Sequence, residues 1–199
     1  MESSPETTAL IILAAGASRR MGQPKQLLRW QGTTMLQRII REGKQAGLSP
    51  VVVVTGARRA AVEPAAEAEQ AHIAYNPEWE SGMGSSVVTG LNQLLYLLPE
   101  VDAAAFALTD QPYVGQELLQ AMLQRLQQSA APGIAARYQG SLGVPAIFRK
   151  ALFSELLSLD GQKGAKPVLL RHQKELLAYP FPEGKTDLDT PEDWAQFCG

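Results

Sequence analysis

The chain is poor in the residues that build metal centres and disulfide frameworks. It has one cysteine, Cys198 beside the C-terminus, and two histidines, His72 and His172, among 199 residues. A single cysteine excludes an intramolecular disulfide and a cysteine zinc site. Because the two histidines lack ligand spacing, we expect each of them at the surface or at a strand end.

The sequence also lacks a charge excess and a long apolar run. Eighteen basic and twenty acidic residues give a net charge of −2, which argues against a nucleic-acid-binding surface as the main function. No apolar run reaches the roughly 20 residues of a membrane span. The start of the chain, residues 1–6, has no basic segment followed by an apolar one and so does not resemble a secretion signal. We therefore expect a cytoplasmic protein that binds neither nucleic acid nor membranes.

Strand-like and helix-like segments alternate along the chain, without repeats or a linker-like change in composition. The predicted strands are 10–13, 51–55, 72–75, 103–108, 134–138, 144–148 and 176–179. The predicted helices are 35–46 after a Thr34 cap, 58–70 with an interruption at Pro64, a helix from a Ser85 or Ser86 cap to 98, 114–128, 151–157, 165–171, and a last one after a Thr190 cap with Pro191 at its first position. This alternation predicts one α/β domain over residues 1–199, with three layers and a mainly parallel twisted sheet between helices on both faces.

The first predicted strand ends in small residues, and a cationic loop follows. The small residues are Ala14, Ala15, Gly16 and Ser18, and the cations are Arg19, Arg20 and Lys25. Small side chains let backbone N–H groups approach an anion closely, and parallel sheets bind ligands beyond the carboxyl ends of their strands. The loop matches neither G-x-G-x-x-G nor G-x-x-x-x-G-K-[ST], and Pro24 keeps it from running straight into a helix. The pattern predicts a loop that wraps a nucleoside triphosphate; an ordinary turn with solvated arginines is the alternative.

Two aspartates stand where a divalent cation could be bound. Asp110 directly follows strand 103–108, and Asp189 lies in Asp187-Leu188-Asp189-Thr190-Pro191. Mg²⁺ uses one or two protein carboxylates and completes its shell with phosphate oxygens and water. The alternative for both aspartates is capping or turn chemistry, which is common before Thr-Pro.

A glycine- and serine-rich segment leads into the third predicted helix. Gly82-Met83-Gly84-Ser85-Ser86 places free backbone N–H groups where a base edge or an anion could bind. A flexible loop followed by an ordinary serine cap is the alternative. Residues 143–148 are candidates for the wall of an acceptor pocket, although Phe148 fits better in the core.

Together these motifs resemble the MobA-like nucleotidyltransferase family, and most closely its molybdenum cofactor cytidylyltransferase branch. The match extends from Leu10 to about Trp194 and implies a Rossmann-like nucleotide-diphospho-sugar transferase fold. The motifs that carry it are Leu13-Ala14-Ala15-Gly16-Ala17-Ser18-Arg19-Arg20-Met21-Gly22 with Lys25, Gly82-Met83-Gly84-Ser85-Ser86, Thr109-Asp110-Gln111-Pro112, Gly143-Val144-Pro145-Ala146 and Asp187-Leu188-Asp189-Thr190-Pro191-Glu192-Asp193.

The resemblance implies a role for each matched residue. The implied nucleotide-binding residues are Leu13, Ala14, Ala15, Gly16, Ser18, Arg20, Lys25, Gly82 and Ser86. Lys25, Arg20 and Asp110 would be catalytic, and Asp110 and Asp189 would hold Mg²⁺. Guanylyltransferase relatives tend to carry glycine at the position of Ala15, so the extra methyl favours a pyrimidine and hence CTP.

The chain departs from the branch at one loop. Relatives often show Gly-Asp-x-Gly-Ala-Arg, whereas this chain has Gly161-Gln162-Lys163-Gly164-Ala165-Lys166. Lysine lacks the bidentate fork with which arginine binds a phosphate. The identity of the acceptor and the role of Lys166 therefore stay open.

The resemblance implies transfer of CMP from CTP to the terminal phosphate of a molybdopterin-type cofactor, with release of pyrophosphate. A phosphate monoester has its second pKa near ~6 and is mostly a dianion at neutral pH, so no general base is needed. A molybdoenzyme that receives the product is a further expected partner. The alternatives are guanylyl or other nucleotidyl transfer to a different phosphate acceptor, and a non-catalytic chaperone of the cofactor.

Overall fold

The computed structural model describes residues 6–199, apart from the side chain of Gln162. The prediction that no secretion signal begins the chain falls on residues 1–5, outside the described residues. The strands are β1 (Thr8–Leu13), β2 (Arg29–Trp30), β3 (Thr33–Thr34), β4 (Val51–Thr55), β5 (His72–Tyr75), β6 (Ala103–Leu108), β7 (Gly133–Tyr138), β8 (Ser141–Arg149) and β9 (Leu177–Pro180). The helices are α1 (Met35–Gln45), α2 (Arg59–Glu67), α3 (Met83–Leu97), α4 (Gln116–Gln127), α5 (Phe153–Leu157), α6 (Lys166–Arg171) and α7 (Pro191–Cys198).

Seven strands form one sheet in the order β5-β4-β1-β6-β8-β7-β9, and β2 pairs with β3 in a separate hairpin. β1 lies in the interior of the sheet beside the central strand β6, and its Leu10 pairs with Val51 on one side and Ala105 on the other. Only β8 runs against the other strands of this sheet. The predicted mainly parallel sheet is therefore confirmed.

The central strands are apolar along their whole length because both of their faces are buried. One face, which includes Ile11 and Phe106, packs against α3, α5 and α6. The other face, which includes Leu10 and Ile12, packs against α1, α2 and α4. The predicted helices on both faces of the sheet are thus confirmed.

Local sequence signals set several helix starts as predicted. Thr34 and Gln37 form a capping box at α1, in which the Gln37 backbone N–H donates to the Thr34 Oγ1 at 3.1 Å. Thr190 and Asp193 form a second capping box at α7, with Pro191 in its first turn. Each box pairs N–H groups that a helix start leaves without partners.

Two predicted helix features are wrong. α2, a helix of nine residues, runs unbroken through Pro64. The proline removes one backbone hydrogen bond, but the buried side chains of Val62 and Ala66 hold the helix against the sheet. α3 begins at Met83 with Gly82 as its N-cap, so neither Ser85 nor Ser86 is the cap. Gly82 has φ 121°, a conformation that glycine adopts at little cost.

The remaining predicted elements differ from the structure mainly in length, and the short β2–β3 hairpin was not predicted. β8 extends over Ser141–Arg149 and forms a hairpin with β7, and Phe148 lies in the core, as expected. His72 is exposed on β5. His172 contacts Glu155, whose hydrogen bond raises the pKa of the imidazole above its usual range. Within residues 6–199, no helix is long and apolar enough to cross a membrane.

Candidate active site

A cavity of about 210 Å³ opens at the carboxyl edge of the sheet, beyond the ends of β1 and β6. Loops that follow β1, β5 and β6 build its walls, as the parallel topology predicts. Its lining includes the predicted residues Leu13, Ala15, Gly16, Lys25, Gly82, Ser86 and Asp110, together with Gln26, Trp79, Met83, Leu108 and Thr109. Residues scattered over nearly a hundred positions of sequence thus meet in one pocket.

Four charged side chains meet at the mouth of this cavity. The Lys25 Nζ donates to the Asp110 Oδ2 and, at 3.0 Å, to the Asp189 Oδ1. The Arg20 Nη2 donates to the Asp189 Oδ2 at 2.6 Å. We call Arg20, Lys25, Asp110 and Asp189 the ion-pair cluster. Its two cations and two anions balance one another in the ligand-free protein.

Lys25 is the best-sheltered cation of this cluster, with a side chain 18% exposed. Burial by itself lowers the pKa of its ammonium, but the charges and hydrogen bonds of Asp110 and Asp189 outweigh burial and raise that pKa above its ordinary value. Lys25 is therefore fully charged at neutral pH. An ammonium held in place at a sheet edge is suited to neutralise a phosphate.

A third carboxylate, Asp187, stands close to the two predicted ones. Desolvation first, and then the charges of Asp110 and Asp189, raise the pKa of Asp187 to about 6. Sequence reasoning assigned Asp187 no function, although it lies in the same motif as Asp189. The raised pKa of Asp187 therefore reflects burial first and, second, the nearness of the Asp110 and Asp189 carboxylates.

One oxygen of Asp110 has no hydrogen-bond partner. The Oδ1 is buried without a donor among the described residues, while the Oδ2 accepts from Lys25. A buried anionic oxygen without a partner is costly, and a divalent cation would satisfy it. No group of three or more His, Cys, Asp or Glu side chains in residues 6–199 is arranged to hold a metal ion. The donor set fits Mg²⁺, which needs only one or two carboxylates when a polyphosphate supplies the rest.

The first loop is held in shape by Gln26, which sequence reasoning missed. Its side chain is 1% exposed, and its Nε2 donates to the backbone oxygens of Ala14 at 2.9 Å and Gly16 at 3.1 Å. The Ser18 hydroxyl donates to the Gln26 Oε1 at 3.4 Å and accepts from the Lys25 backbone N–H at 3.1 Å. These bonds hold Ser18 at φ 52°, a region that non-glycine residues rarely adopt.

Two further residues, Gly56 and Trp79, pack closely beside the loop that follows β1. A Cβ on Gly56 would lie 2.7 Å from the Ala15 backbone oxygen and 2.8 Å from the Trp79 Cβ. Gly56 therefore lets the loop after β4 support the cavity wall without lining it. Trp79 lines the cavity directly. The one signal in the sequence for this role is that Trp79 lies in a polar segment after β5.

Some of the predicted site residues do not place a side chain in the lining of the cavity. The Ala14 methyl packs on the opposite face of the sheet, so Ala14 acts through its backbone. Ser18, Arg20 and Asp189 lie outside the cavity lining and are connected to it through Gln26 and Lys25. Arg19 has a side chain 81% exposed and lies 3.8 Å from Glu80, which agrees with its interpretation as a solvated residue.

A second cavity of about 350 Å³ adjoins the first and shares Met83 and Leu108 with it. Gly143 and Val144, which the sequence marked as candidates for the wall of an acceptor pocket, line this second cavity. Its other lining residues include Tyr138, Lys163 and Lys166. A Cβ on Gly143 would lie 2.3 Å from the Tyr138 Oη, so a larger residue there would require the Tyr138 ring to move.

The chain is similar in sequence to known proteins. A family model described as MobA-like NTP transferase domain matches residues 10–176. Nicotine blue oxidoreductase of Paenarthrobacter nicotinovorans is 36% identical over 149 residues, which are 70% of this chain and 66% of that protein. Molybdenum cofactor cytidylyltransferase of Escherichia coli (strain K12) is 27% identical over 187 residues, 92% of each chain.

Among solved structures, Rv0371c of Mycobacterium tuberculosis H37Rv is similar over 98% of this chain and 99% of its own, with a TM-score of 0.82 and 25% identity. That coverage includes the sheet, both helical layers and the edge that carries the cavity. With the family match over residues 10–176, it shows that the chain belongs to the MobA-like NTP transferase family and has the Rossmann-like fold of nucleotidyltransferases.

Proposed function

We propose that the chain is a single Mg²⁺-dependent nucleotidyltransferase domain that moves CMP from CTP onto the terminal phosphate of a molybdopterin-type cofactor and releases pyrophosphate. The observation that carries this proposal is the ion-pair cluster. Two cations and two carboxylates converge beside a cavity at the sheet edge where parallel folds bind ligands. That combination suits a metal-bound triphosphate better than an uncharged ligand.

Asp110 and Asp189 would hold the Mg²⁺ ion. The buried Asp110 Oδ1, which lacks a partner among the described residues, supports this assignment. When bound, the ion supplies charge neutralisation for the triphosphate and for the departing pyrophosphate. The carboxylates themselves need no proton transfer to do this.

Lys25 and Arg20 would bind the phosphates. Each is already fixed by a carboxylate, and phosphate oxygens compete with those carboxylates for the same N–H groups. Gly16 lines the cavity, and a Cβ added there would meet no protein atom within 4 Å. Its lack of a side chain therefore serves no packing need of the protein, which supports close approach by a ligand.

The proposed reaction needs no general base from the protein. An oxygen of the acceptor's phosphate dianion attacks the α-phosphorus of CTP, the bond to the β-phosphate oxygen breaks, and the electron pair leaves with pyrophosphate. Alignment of the two substrates and neutralisation of charge would supply the catalysis. The absence of a required general base agrees with the two histidines lying on the outer strand β5 and at the end of α6.

CTP is the proposed donor because Ala15, where guanylyltransferase relatives tend to carry glycine, adds a methyl group to the wall of the cavity. This methyl group favours the smaller pyrimidine base. Ala15 and Trp79 both line the cavity, and Gly56 lies so close to both residues that a Cβ there would clash with them. The name of the Escherichia coli relative, molybdenum cofactor cytidylyltransferase, agrees with this choice.

The second cavity is the proposed acceptor site. It adjoins the first, and Lys163 and Lys166 give it positive charge for a phosphate-bearing substrate. Lys166, whose function the sequence left open, would contribute a point charge in place of an arginine fork. A molybdoenzyme would then receive the product.

Pyrophosphate release tests the proposal. Wild-type protein, Asp110→Asn and Asp102→Asn are assayed with CTP or GTP, with and without a molybdopterin-type cofactor, and with Mg²⁺ or EDTA. We expect release from CTP that needs both cofactor and Mg²⁺, and a loss of about 100-fold or more in Asp110→Asn. Asp102 precedes β6, at the end opposite to Asp110, where it binds the Thr7 backbone N–H, so it is the matched control and should retain activity.

Three outcomes would contradict the proposal. Undiminished release by Asp110→Asn overturns the metal assignment, and equal release from GTP overturns the choice of CTP. Cofactor binding without any pyrophosphate release would indicate a chaperone. A separate assay of nicotine blue oxidation or reduction addresses the activity in the name of the relative from Paenarthrobacter nicotinovorans, and turnover there without nucleotidyl transfer would be a further contradicting outcome.

A further inference from the structure

A buried amide connects the end of β5 to the start of α3, directly behind the cavity. Asn76 follows β5 and is 1% exposed. Its Nδ2 donates to the Ser85 Oγ at 2.8 Å and to the Ser86 Oγ at 3.0 Å. Its Oδ1 accepts from the Glu78 backbone N–H at 2.9 Å. Both donor hydrogens and the acceptor of this side chain are therefore used.

The orientation of this amide follows from chemistry. A backbone N–H can only donate, so the atom that faces Glu78 must be the oxygen of Asn76. The nitrogen consequently faces the two serines and can only donate to them. Both serine oxygens must then act as acceptors toward Asn76.

The hydroxyl groups of Ser85 and Ser86 differ in whether the protein provides an acceptor for their hydrogen. The single hydrogen of the Ser85 hydroxyl is shared between two backbone acceptors, the Gly82 oxygen at 2.8 Å and the Glu78 oxygen at 2.9 Å. The Ser86 hydroxyl has no acceptor within the described part of the chain, where its only hydrogen bond is the one it accepts from Asn76. Ser86 is 4% exposed and lines the cavity. Its hydrogen is therefore available to a ligand in the cavity.

We propose that Asn76 is a positioning residue that holds the Ser86 hydroxyl as a hydrogen-bond donor toward the nucleotide base, and that this polarity favours cytosine. The inference rests on the proposed function and adds how the base is selected. On its Watson–Crick edge cytosine offers neighbouring acceptors at O2 and N3, whereas guanine offers the N1–H and N2–H donors there beside a single acceptor, O6. A guanine whose N–H donors face Ser86 would fill the cavity and leave the Ser86 hydrogen without a partner, which is costly in a buried site.

The substitution Asn76→Asp reverses the polarity with almost no change in shape. The carboxylate still accepts from the Glu78 N–H, but it can no longer donate to Ser86. The Ser86 hydroxyl then donates to residue 76 and turns its lone pairs toward the base. Acceptor atoms of cytosine would meet lone pairs, and donor atoms of guanine would gain a partner.

The test measures kcat/KM for CTP and for GTP at pH 8.5 in wild type, Asn76→Asp, Ser86→Ala and Ser85→Ala. We expect the CTP-to-GTP ratio to fall about tenfold in Asn76→Asp, equivalent to about 1.4 kcal/mol, and also to fall in Ser86→Ala. Ser85→Ala is the matched control because it removes the other partner of Asn76, and its ratio should stay at the wild-type value. Adding Asn76→Asp to Ser86→Ala should not change the ratio further.

A merely structural Asn76 would give a different pattern, in which both nucleotides lose activity together and the ratio does not move. That result overturns the inference. If Asn76→Asp fails to fold, as judged by circular dichroism, Ser86→Ala decides, and an unchanged ratio there overturns it as well. If wild type releases pyrophosphate from neither nucleotide, the proposed function falls, and the ratio of the Kd values for CTP and GTP carries the same test of Asn76.

Discussion

Replacing Gln26 with methionine is expected to loosen the loop that forms one wall of the cavity. Methionine has a similar length and shape, so it fills the same space while it removes both donors and the acceptor of the amide. The backbone oxygens of Ala14 and Gly16 lose the bonds at 2.9 and 3.1 Å that now join the two ends of the turn. The Ser18 hydroxyl loses the acceptor that steadies its left-handed conformation.

The size of the effect follows from burial. Two neutral hydrogen bonds contribute about 1 kcal/mol each, and leaving the Ala14 oxygen buried without a partner adds a cost of similar size. We therefore expect Gln26→Met to lower the free energy of unfolding by about 2–3 kcal/mol. For a domain of this size, about 2–4 °C of Tm is lost per kcal/mol, so Tm should fall by about 4–12 °C.

Thermal melts without nucleotide measure this loss, and nucleotide kinetics measure its consequence. Gln45→Met is the matched control, because Gln45 is exposed on α1 and its change should stay within about 0.5 kcal/mol. A loosened loop should raise KM for the nucleotide more than it lowers kcat, since the groups that act on the phosphates are retained. A Gln26→Met protein that melts within about 1 °C of wild type would refute this account of the loop.

Two further predictions concern the acidic groups and the core. The folded-state pKa of Asp187, about 6, lies above its unfolded value, so the folded protein binds this proton more tightly and stability should fall as pH rises from about 4 to about 6. Asp187→Asn should flatten that part of the Tm-against-pH curve, and an unchanged curve would contradict the shift. A Cβ on Gly90 would lie 2.5 Å from the Ile11 Cγ2 and 2.8 Å from the Val54 Cγ2. Gly90→Ala should therefore lower stability by about 1–3 kcal/mol despite its better helix propensity, and a urea midpoint at or above that of wild type would contradict the close packing.

The architecture was predictable because its signals are local and redundant. β4 is a run of β-branched residues between Pro50 and Gly56, and a strand buried on both faces needs such a run. The errors arose where a local rule met a tertiary contact. Pro64 normally breaks a helix, but the packing of Val62 and Ala66 holds α2 together. A serine normally caps a helix, but Ser85 and Ser86 already bind Asn76.

The charged part of the site was predictable for a similar reason. Asp110 lies just beyond the end of β6, and Lys25 lies in the loop that follows β1. The topology of a parallel sheet brings such loops together at one edge. The buried amides were not predictable. Gln26 lies in a polar stretch that is typical of a solvated loop, and only tertiary packing turns it inward. A sequence can show that an amide is present, but its hydrogen-bond partners depend on backbone atoms whose positions the fold decides.

Lys25 and Gln26 are neighbours in the loop, but their side chains make different kinds of contact. The ammonium of Lys25 faces the cavity and joins carboxylates that lie 85 and 164 positions further along the chain. The amide of Gln26 faces inward and ties the loop to its own backbone. Because Gln26 fixes the loop without using charge, the ion-pair cluster is not needed to hold the loop closed. In the proposed reaction, Arg20 and Lys25 would therefore exchange their carboxylate partners for phosphate oxygens while the wall of the cavity keeps its shape.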